Sequence, residues 1–180
     1  AWKGAMAPEN LKRSGTQRQG WLAKALVEYR MDWGTPGILG WYASGDDGNP
    51  KNGSERIPLL VGLQNFTSFM GDTPYTLGPW HDISLDFAGT WGAGLQIRNM
   101  SFLQDLRHTL RAVWWGGTNS PSMAKYMGTA YAWKDGWQHW DGPYLTTNDG
   151  LLELNMINTY KMYENFTIYG ELGYIANFVD

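Results

Sequence analysis

Ile83-Ser84-Leu85-Asp86-Phe87-Ala88-Gly89-Thr90-Trp91-Gly92-Ala93-Gly94-Leu95-Gln96-Ile97 is the stretch that decides the fold. Its odd positions, Ile83, Leu85, Phe87, Gly89, Trp91, Ala93, Leu95 and Ile97, carry no polar side chain. Its even positions, Ser84, Asp86, Ala88, Thr90, Gly92, Gly94 and Gln96, are polar or small, and Arg98 follows. Successive side chains of a strand point to opposite faces, so this is a strand with one apolar face. A helical stripe would recur every three to four residues and does not fit. Strands of soluble sheets average about 5 to 6 residues, whereas a membrane-crossing strand needs about 9 to 11 tilted ones. The alternation here spans 83 to 98, so both settings are open on this stretch alone.

The flanking chain repeats the pattern. Residues 21 to 33 place Trp21, Ala23, Ala25, Val27, Tyr29, Met31 and Trp33 opposite Leu22, Lys24, Leu26, Glu28, Arg30 and Asp32. Residues 38 to 45 place Leu39, Trp41 and Ala43 opposite Gly40, Tyr42 and Ser44. Residues 106 to 116 put Leu106, His108, Leu110, Ala112, Trp114 and Gly116 on one face and Arg107, Thr109, Arg111, Val113 and Trp115 on the other. In 151 to 162, Leu152, Leu154, Met156, Tyr160 and Met162 oppose Glu153, Asn155, Thr159 and Lys161. This strand is the least clean, because Asn158 falls on its apolar face and Ile157 on its polar one. In 167 to 178, Ile168, Leu172, Tyr174, Ala176 and Phe178 oppose Thr167, Tyr169, Glu171, Ile175 and Asn177.

The connections alternate in length. Thr35-Pro36-Gly37 reads as a type II turn, with Gly supplying a positive φ. Short turns are also expected at Asn99 to Gln104 and at Tyr163 to Phe166. Between them lie long connections at 46–80 and 117–149, rich in Gly, Asn, Asp and aromatic residues. Short turns at one end, long loops at the other and apolar-out, polar-in strands edged by aromatics describe an outer-membrane barrel. The fold expected is therefore all-β: an antiparallel transmembrane β-barrel domain, to which this chain contributes strands 21–33, 38–45, 83–98, 106–116, 151–162 and 167–178.

Composition agrees. Charged residues are 17%, below the roughly 25% of soluble domains, while 11 Trp, 10 Tyr and 23 Gly suit β-structure with interfacial rings. A soluble Trp-rich β-sandwich that binds carbohydrate fits the same composition and is the alternative reading. A net charge of −3 supplies no basic footprint for nucleic acid. There is no cysteine, and no run of about 18 apolar residues that would make a transmembrane helix. Ala1-Trp2-Lys3-Gly4 lacks the basic and apolar start of a signal peptide, so the chain reads as mature or as a piece of something longer.

The run from Trp21-Leu22-Ala23-Lys24-Ala25-Leu26-Val27-Glu28-Tyr29-Arg30 through Trp33-Gly34-Thr35-Pro36-Gly37, with the strand end Trp41-Tyr42-Ala43-Ser44-Gly45-Asp46-Asp47-Gly48, resembles the homotrimeric outer-membrane porin family of sulfate-reducing bacteria. The resemblance implies a homotrimer of water-filled barrels in the outer membrane of a Gram-negative bacterium, passing ions and small hydrophilic solutes. Such porins have about 16 strands, and the chain closes on Ala176-Asn177-Phe178-Val179-Asp180 without the usual terminal aromatic. An internal segment of a longer porin is expected.

Strand parity then assigns side chains. Lys24, Glu28, Arg30, Asp32, Asp86, Arg98, Arg107, Arg111, Glu153, Lys161 and Glu171 are expected to line the pore. Trp21, Val27, Phe87, Trp91, Leu95, Leu110, Trp114, Leu154, Leu172 and Tyr174 are expected to face lipid. Gly92 and Gly94 leave room on the pore face, which the reading gives to the Arg111 side chain. No catalytic constellation and no cofactor are expected: His81, His108 and His139 lack metal spacing and no nucleophile setting is recognisable. His81 beside Asp82 is the only catalytic candidate, and an outer-membrane hydrolase the weaker reading of it. Asp46-Asp47-Gly48-Asn49-Pro50 through Glu55 departs from the EF-hand pattern at Lys51 and reads as an acidic loop rather than a calcium site. Trp133, Trp137 and Trp140 read as loop packing or a trimer contact before sugar stacking. The apolar run Leu59 to Met70 could constrict the barrel, cover its mouth or latch onto a neighbour.

Overall fold

The computed structural model describes residues 19–49, 55–57, 67–68, 88–122 and 145–178. Six strands form one sheet: β1 (Leu22–Glu28), β2 (Thr35–Ala43), β3 (Thr90–Leu103), β4 (Leu106–Gly117), β5 (Gly150–Tyr163) and β6 (Phe166–Phe178). Each pairs antiparallel with its neighbour in sequence, in the order β1-β2-β3-β4-β5-β6. The sheet is open. β1 and β6 are its edges and do not pair with one another.

The first hairpin turns earlier than expected. β1 ends at Glu28, and the reversal lies at Asp32-Trp33, closed by the Met31–Gly34 bridge. Thr35, Pro36 and Gly37 belong to β2, not to a type II turn. Pro36 joins the ladder through its carbonyl, which accepts Tyr29 N–H at 2.9 Å. Gly37 is needed for space, because a Cβ there would meet Glu28 Cγ at 2.9 Å. Arg30 and Asp32 therefore lie beyond the strand, at the turn, and not on a barrel wall.

β3 is displaced from the expected 83–98. It begins at Thr90, after a turn in which Gly89 has φ 76°. Residues 83–87, with Asp86 and Phe87, lie outside the described residues. At its other end β3 continues to Leu103, so the turn is Gln104-Asp105 and not Asn99 to Gln104. Asn99 (φ 53°) accommodates a register shift between Ile97 and Met100, and Asp105 (φ 63°) makes the turn. Asn and Asp tolerate this left-handed region better than most side chains. The remaining hairpin, β5–β6, turns at Glu164-Asn165 as the sequence suggests.

The core lies on one face of the sheet, toward the end of the long connections. It is built from Leu39, Trp41, Ala43, Val113, Trp115 and Leu151, covered by Ile57, Ala88 and Leu145. Asn119 ties the covering segments together. Its Nδ2 donates to the carbonyls of Gly89 (3.2 Å) and Leu145 (2.8 Å), and its Oδ1 accepts from Asp46 N–H (3.1 Å).

Candidate membrane face and channel wall

Residues directly opposite one another across a ladder share a face, so the register sorts the side chains into rows. On the face expected toward lipid, called outer here, with the opposite face called inner, one row runs Val27, Ile38, Leu95, Ala112, Leu154, Tyr174. The next runs Ala25, Gly40, Ala93, Trp114, Leu152, Ala176. No polar side chain interrupts either. Val27 is 71% exposed, Leu95 63% and Leu172 68%. Aromatics gather at both ends. Trp21 stacks on Tyr42 at 4.7 Å and Trp114 packs against Phe178 at 5.4 Å, at the long-loop end. Tyr29, Trp33, Tyr160, Tyr163 and Phe166 are exposed at the short-turn end.

Of the positions expected on this face, Trp21, Val27, Trp91, Leu95, Trp114, Leu154, Leu172 and Tyr174 are exposed and Leu110 is half-buried. His108 and Asn158, the polar residues on the same parity, stand opposite each other and are 2.6 Å apart, Nδ1 to Oδ1. The sequence signalled an intruder at each position but not that they answer one another.

The inner face changes character along its length. At the long-loop end the rows are Lys24, Trp41, Gly92, Trp115, Leu151, Asn177 and then Leu26, Leu39, Gly94, Val113, Glu153, Ile175. Trp41 and Trp115 meet edge to face at 4.7 Å. Their indole N–H groups donate to Thr90 Oγ1 at 3.0 Å and to Glu153 Oε2 at 2.9 Å. A Cβ on Gly92 would fall inside the Trp41 ring. The space expected for Arg111 is therefore filled by Trp41 beside Gly92 and by Val113 beside Gly94. Glu153, expected on an open wall, is fully buried.

One row nearer the short turns is a polar ladder: Glu28, Gly37, Gln96, Arg111, Asn155, Gly173. Arg111 Nε donates to Gln96 Oε1 (3.1 Å), and Gln96 Nε2 donates to Glu28 Oε1 (2.9 Å). Arg98 Nε reaches the same Glu28 oxygen at 3.0 Å. Arg111 is buried, and the Arg98 charge is matched by Glu28. Ser68 N–H donates to Asn155 Oδ1 at 3.5 Å and Thr67 is fully buried, so part of the 46–80 connection reaches the inner wall at this level. Below the ladder Arg107, Lys161 and Glu171 are exposed on the same face, and Lys24 is exposed at the opposite end.

Asp46, Asp47 and Glu55 come together, with one carboxylate oxygen of each within 4.8 Å of the others. The Asp46 and Asp47 carboxylates also accept Gly48 N–H (2.8 Å) and Asn49 N–H (2.7 Å), which folds the acidic loop on itself. His81, His139, Trp133, Trp137 and Trp140 lie outside the described residues, as does the run Leu59 to Met70 apart from Thr67 and Ser68.

Trp41 and Trp115 are residues of this face that the pore-lining expectation left out, although parity had put Trp115 on the face of Arg111. The available signal was Gly92, which stands opposite both, a gap that demands a large neighbour. Comparison with protein-family models, with curated proteins and with solved structures returns no match.

Proposed function

We propose that the chain is part of an outer-membrane porin, a water-filled β-barrel channel for passive diffusion of ions and small hydrophilic solutes. The observation that carries this reading is the outer face: rows of apolar side chains across all six strands, exposed and bounded by aromatics at both ends. A soluble protein rarely leaves so large an apolar surface uncovered, whereas lipid requires it. The dimensions agree. β6 has 13 residues, or ~43 Å at ~3.3 Å each. Tilted by ~40° it covers ~33 Å of height, close to the ~30 Å hydrocarbon core.

The open edges fit the same reading. Unpaired backbone groups in lipid each cost several kcal/mol, so a sheet in a membrane must close. β1 and β6 are proposed to pair with further strands of a larger barrel, about 16 in all for a trimeric porin. Polar exposed residues toward the short turns and a packed, loop-covered end toward the long connections suit an aqueous lumen narrowed from the loop side. The carbohydrate-binding sandwich would need a second sheet against the apolar face, and the described residues contain one sheet.

The test is fractionation and conductance of the full-length polypeptide. Retention in outer membranes through alkaline carbonate washing, and stepwise conductance in planar bilayers, are expected. Release as a soluble protein without detergent would overturn the reading.

A further inference from the structure

The outer face of β4, β5 and β6 is not smooth. A shallow groove of about 370 Å³ opens there, lined by Leu110, Leu154, Met156, Leu172 and Tyr174, with Gly173 in its floor. The next row toward the short turns is His108, Asn158, Gly170. A polar pair therefore lies directly at one end of an apolar slot.

The hydrogen bonds orient that pair. Asn158 Nδ2 donates to the Gly170 carbonyl at 3.5 Å, which turns Oδ1 toward His108. His108 Nδ1 is then the donor in the 2.6 Å contact. Nε2 makes no other hydrogen bond among the described residues. Asn158 Nδ2 keeps a second N–H. At Gly170 no atom lies within 4 Å of where a Cβ would be, so the outer side of the pair is open. Polar groups left bare in lipid are costly, and these two lie one row from Tyr160, with the exposed Tyr163 and Phe166 beyond it at the β5–β6 turn. Aromatics gathered in this way mark the headgroup level.

We propose that this groove holds one glycerophospholipid, its acyl chain along Leu110, Met156 and Leu172 and its head at the polar pair, where Asn158 Nδ2 donates to a phosphate oxygen and a headgroup hydroxyl donates to His108 Nε2. The inference rests on the membrane reading of the outer face. A glycerophospholipid with a hydroxyl-bearing headgroup matches both parts at once: a flexible apolar chain for a slot one side chain deep, a phosphate oxygen to accept from the amide and a hydroxyl to donate to the imidazole. A second copy of this chain would bring its own apolar rows and leave the polar pair uncompensated.

The experiment is native mass spectrometry of the full-length polypeptide in mild detergent, as extracted and after delipidation and back-titration with dioctanoyl phosphatidylglycerol. Wild type is expected to retain one phospholipid per copy and to rebind one. His108→Leu, which removes the polar end, and Gly170→Leu, whose Cβ falls in open space, should each weaken rebinding about tenfold or more. Both variants should still sediment with carbonate-washed membranes. Membrane-embedded protein whose lipid rebinding neither variant changes would overturn the lipid site and leave the channel reading standing. Protein found outside the membrane fraction would overturn both. A loss of lipid mass accompanied by crosslinks between copies of Gly170→Cys would assign the groove to a second copy and overturn the proposal.

Discussion

Trp115 donates its indole N–H to Glu153 Oε2 at 2.9 Å, and neither side chain has any exposure to solvent. The two stand on adjacent strands on the covered end of the inner face. A buried acceptor that loses its donor costs about 1 to 3 kcal/mol, because desolvation is no longer repaid. Trp115→Phe is therefore expected to destabilise by about that much. Trp114→Phe, one residue along and on the exposed outer face, should cost much less. Urea midpoints in detergent compare the two. Equal effects would mean that the indole N–H is not what holds Glu153.

The second prediction concerns Gly92 and Trp41. The ring occupies the place of a Cβ on the neighbouring strand, so Gly92→Ala forces it out of position. Overpacking of this kind costs about 1 to 3 kcal/mol. Trp41→Phe removes part of the ring and should recover part of that loss, giving a coupling energy of about 0.5 to 3 kcal/mol in a double-mutant cycle. Strict additivity of the two changes would contradict the packing described.

The third prediction uses adjacent residues on opposite faces of β6. Glu171 and Leu172 are both exposed. In water, arginine at either should be nearly harmless. In a membrane, Leu172→Arg should destabilise by about 2 to 4 kcal/mol if it lies near the midplane, and Glu171→Arg by far less. Folding yields into lipid vesicles and denaturant midpoints measure both. Indifference at both positions would argue for a soluble sheet. The corresponding contrast at Trp91 and Thr90 is a poorer test, because Thr90 is buried as the acceptor for Trp41.

Alternation made the faces legible. Leu154, Leu172 and Tyr174 are exposed on one side and Glu28, Arg111 and Glu153 lie on the other, because a strand's period of two is a local property. What alternation could not reveal is what covers a face. Glu153 is polar, and its parity alone places it toward a lumen. It is fully buried, bonded to Trp115 of a core that Ile57, Ala88 and Leu145 join from distant connections. The Pro36-Gly37 signal misled for a related reason. Pro-Gly favours a turn when the chain is free to make one, but here pairing with both β1 and β3 holds it extended. The shift at Asn99 was hidden because a bulge changes register without changing composition.

The last prediction concerns ion selectivity and also rests on the channel reading. Sequence parity placed Arg98, Arg107 and Arg111 on the same pore-lining face. The structure divides them. Arg98 is 3.0 Å from Glu28 and contributes little net field. Arg111 is buried and held by Gln96, so charge reversal there should unfold the wall rather than tune it. Arg107 is exposed opposite Thr159, and Lys161 lies two residues along the same strand face. Such diagonal neighbours are about 7 to 8 Å apart, within the ~8 Å screening length at physiological ionic strength. Glu171 is the exposed acid on the adjacent strand of that wall. On the strand face itself Arg107 and Lys161 therefore outnumber Glu171, while Asp105 and Glu164 lie on the turns beyond, and low-dielectric walls focus a field from such a face. A mild anion preference is expected from this wall, weakening as salt rises. Arg107→Glu with Lys161→Glu should move the bilayer reversal potential toward cations under a salt gradient. Arg98→Glu should move it less, because it also breaks the pairing with Glu28. An unmoved potential in the double variant would mean that the conducting path does not pass this wall.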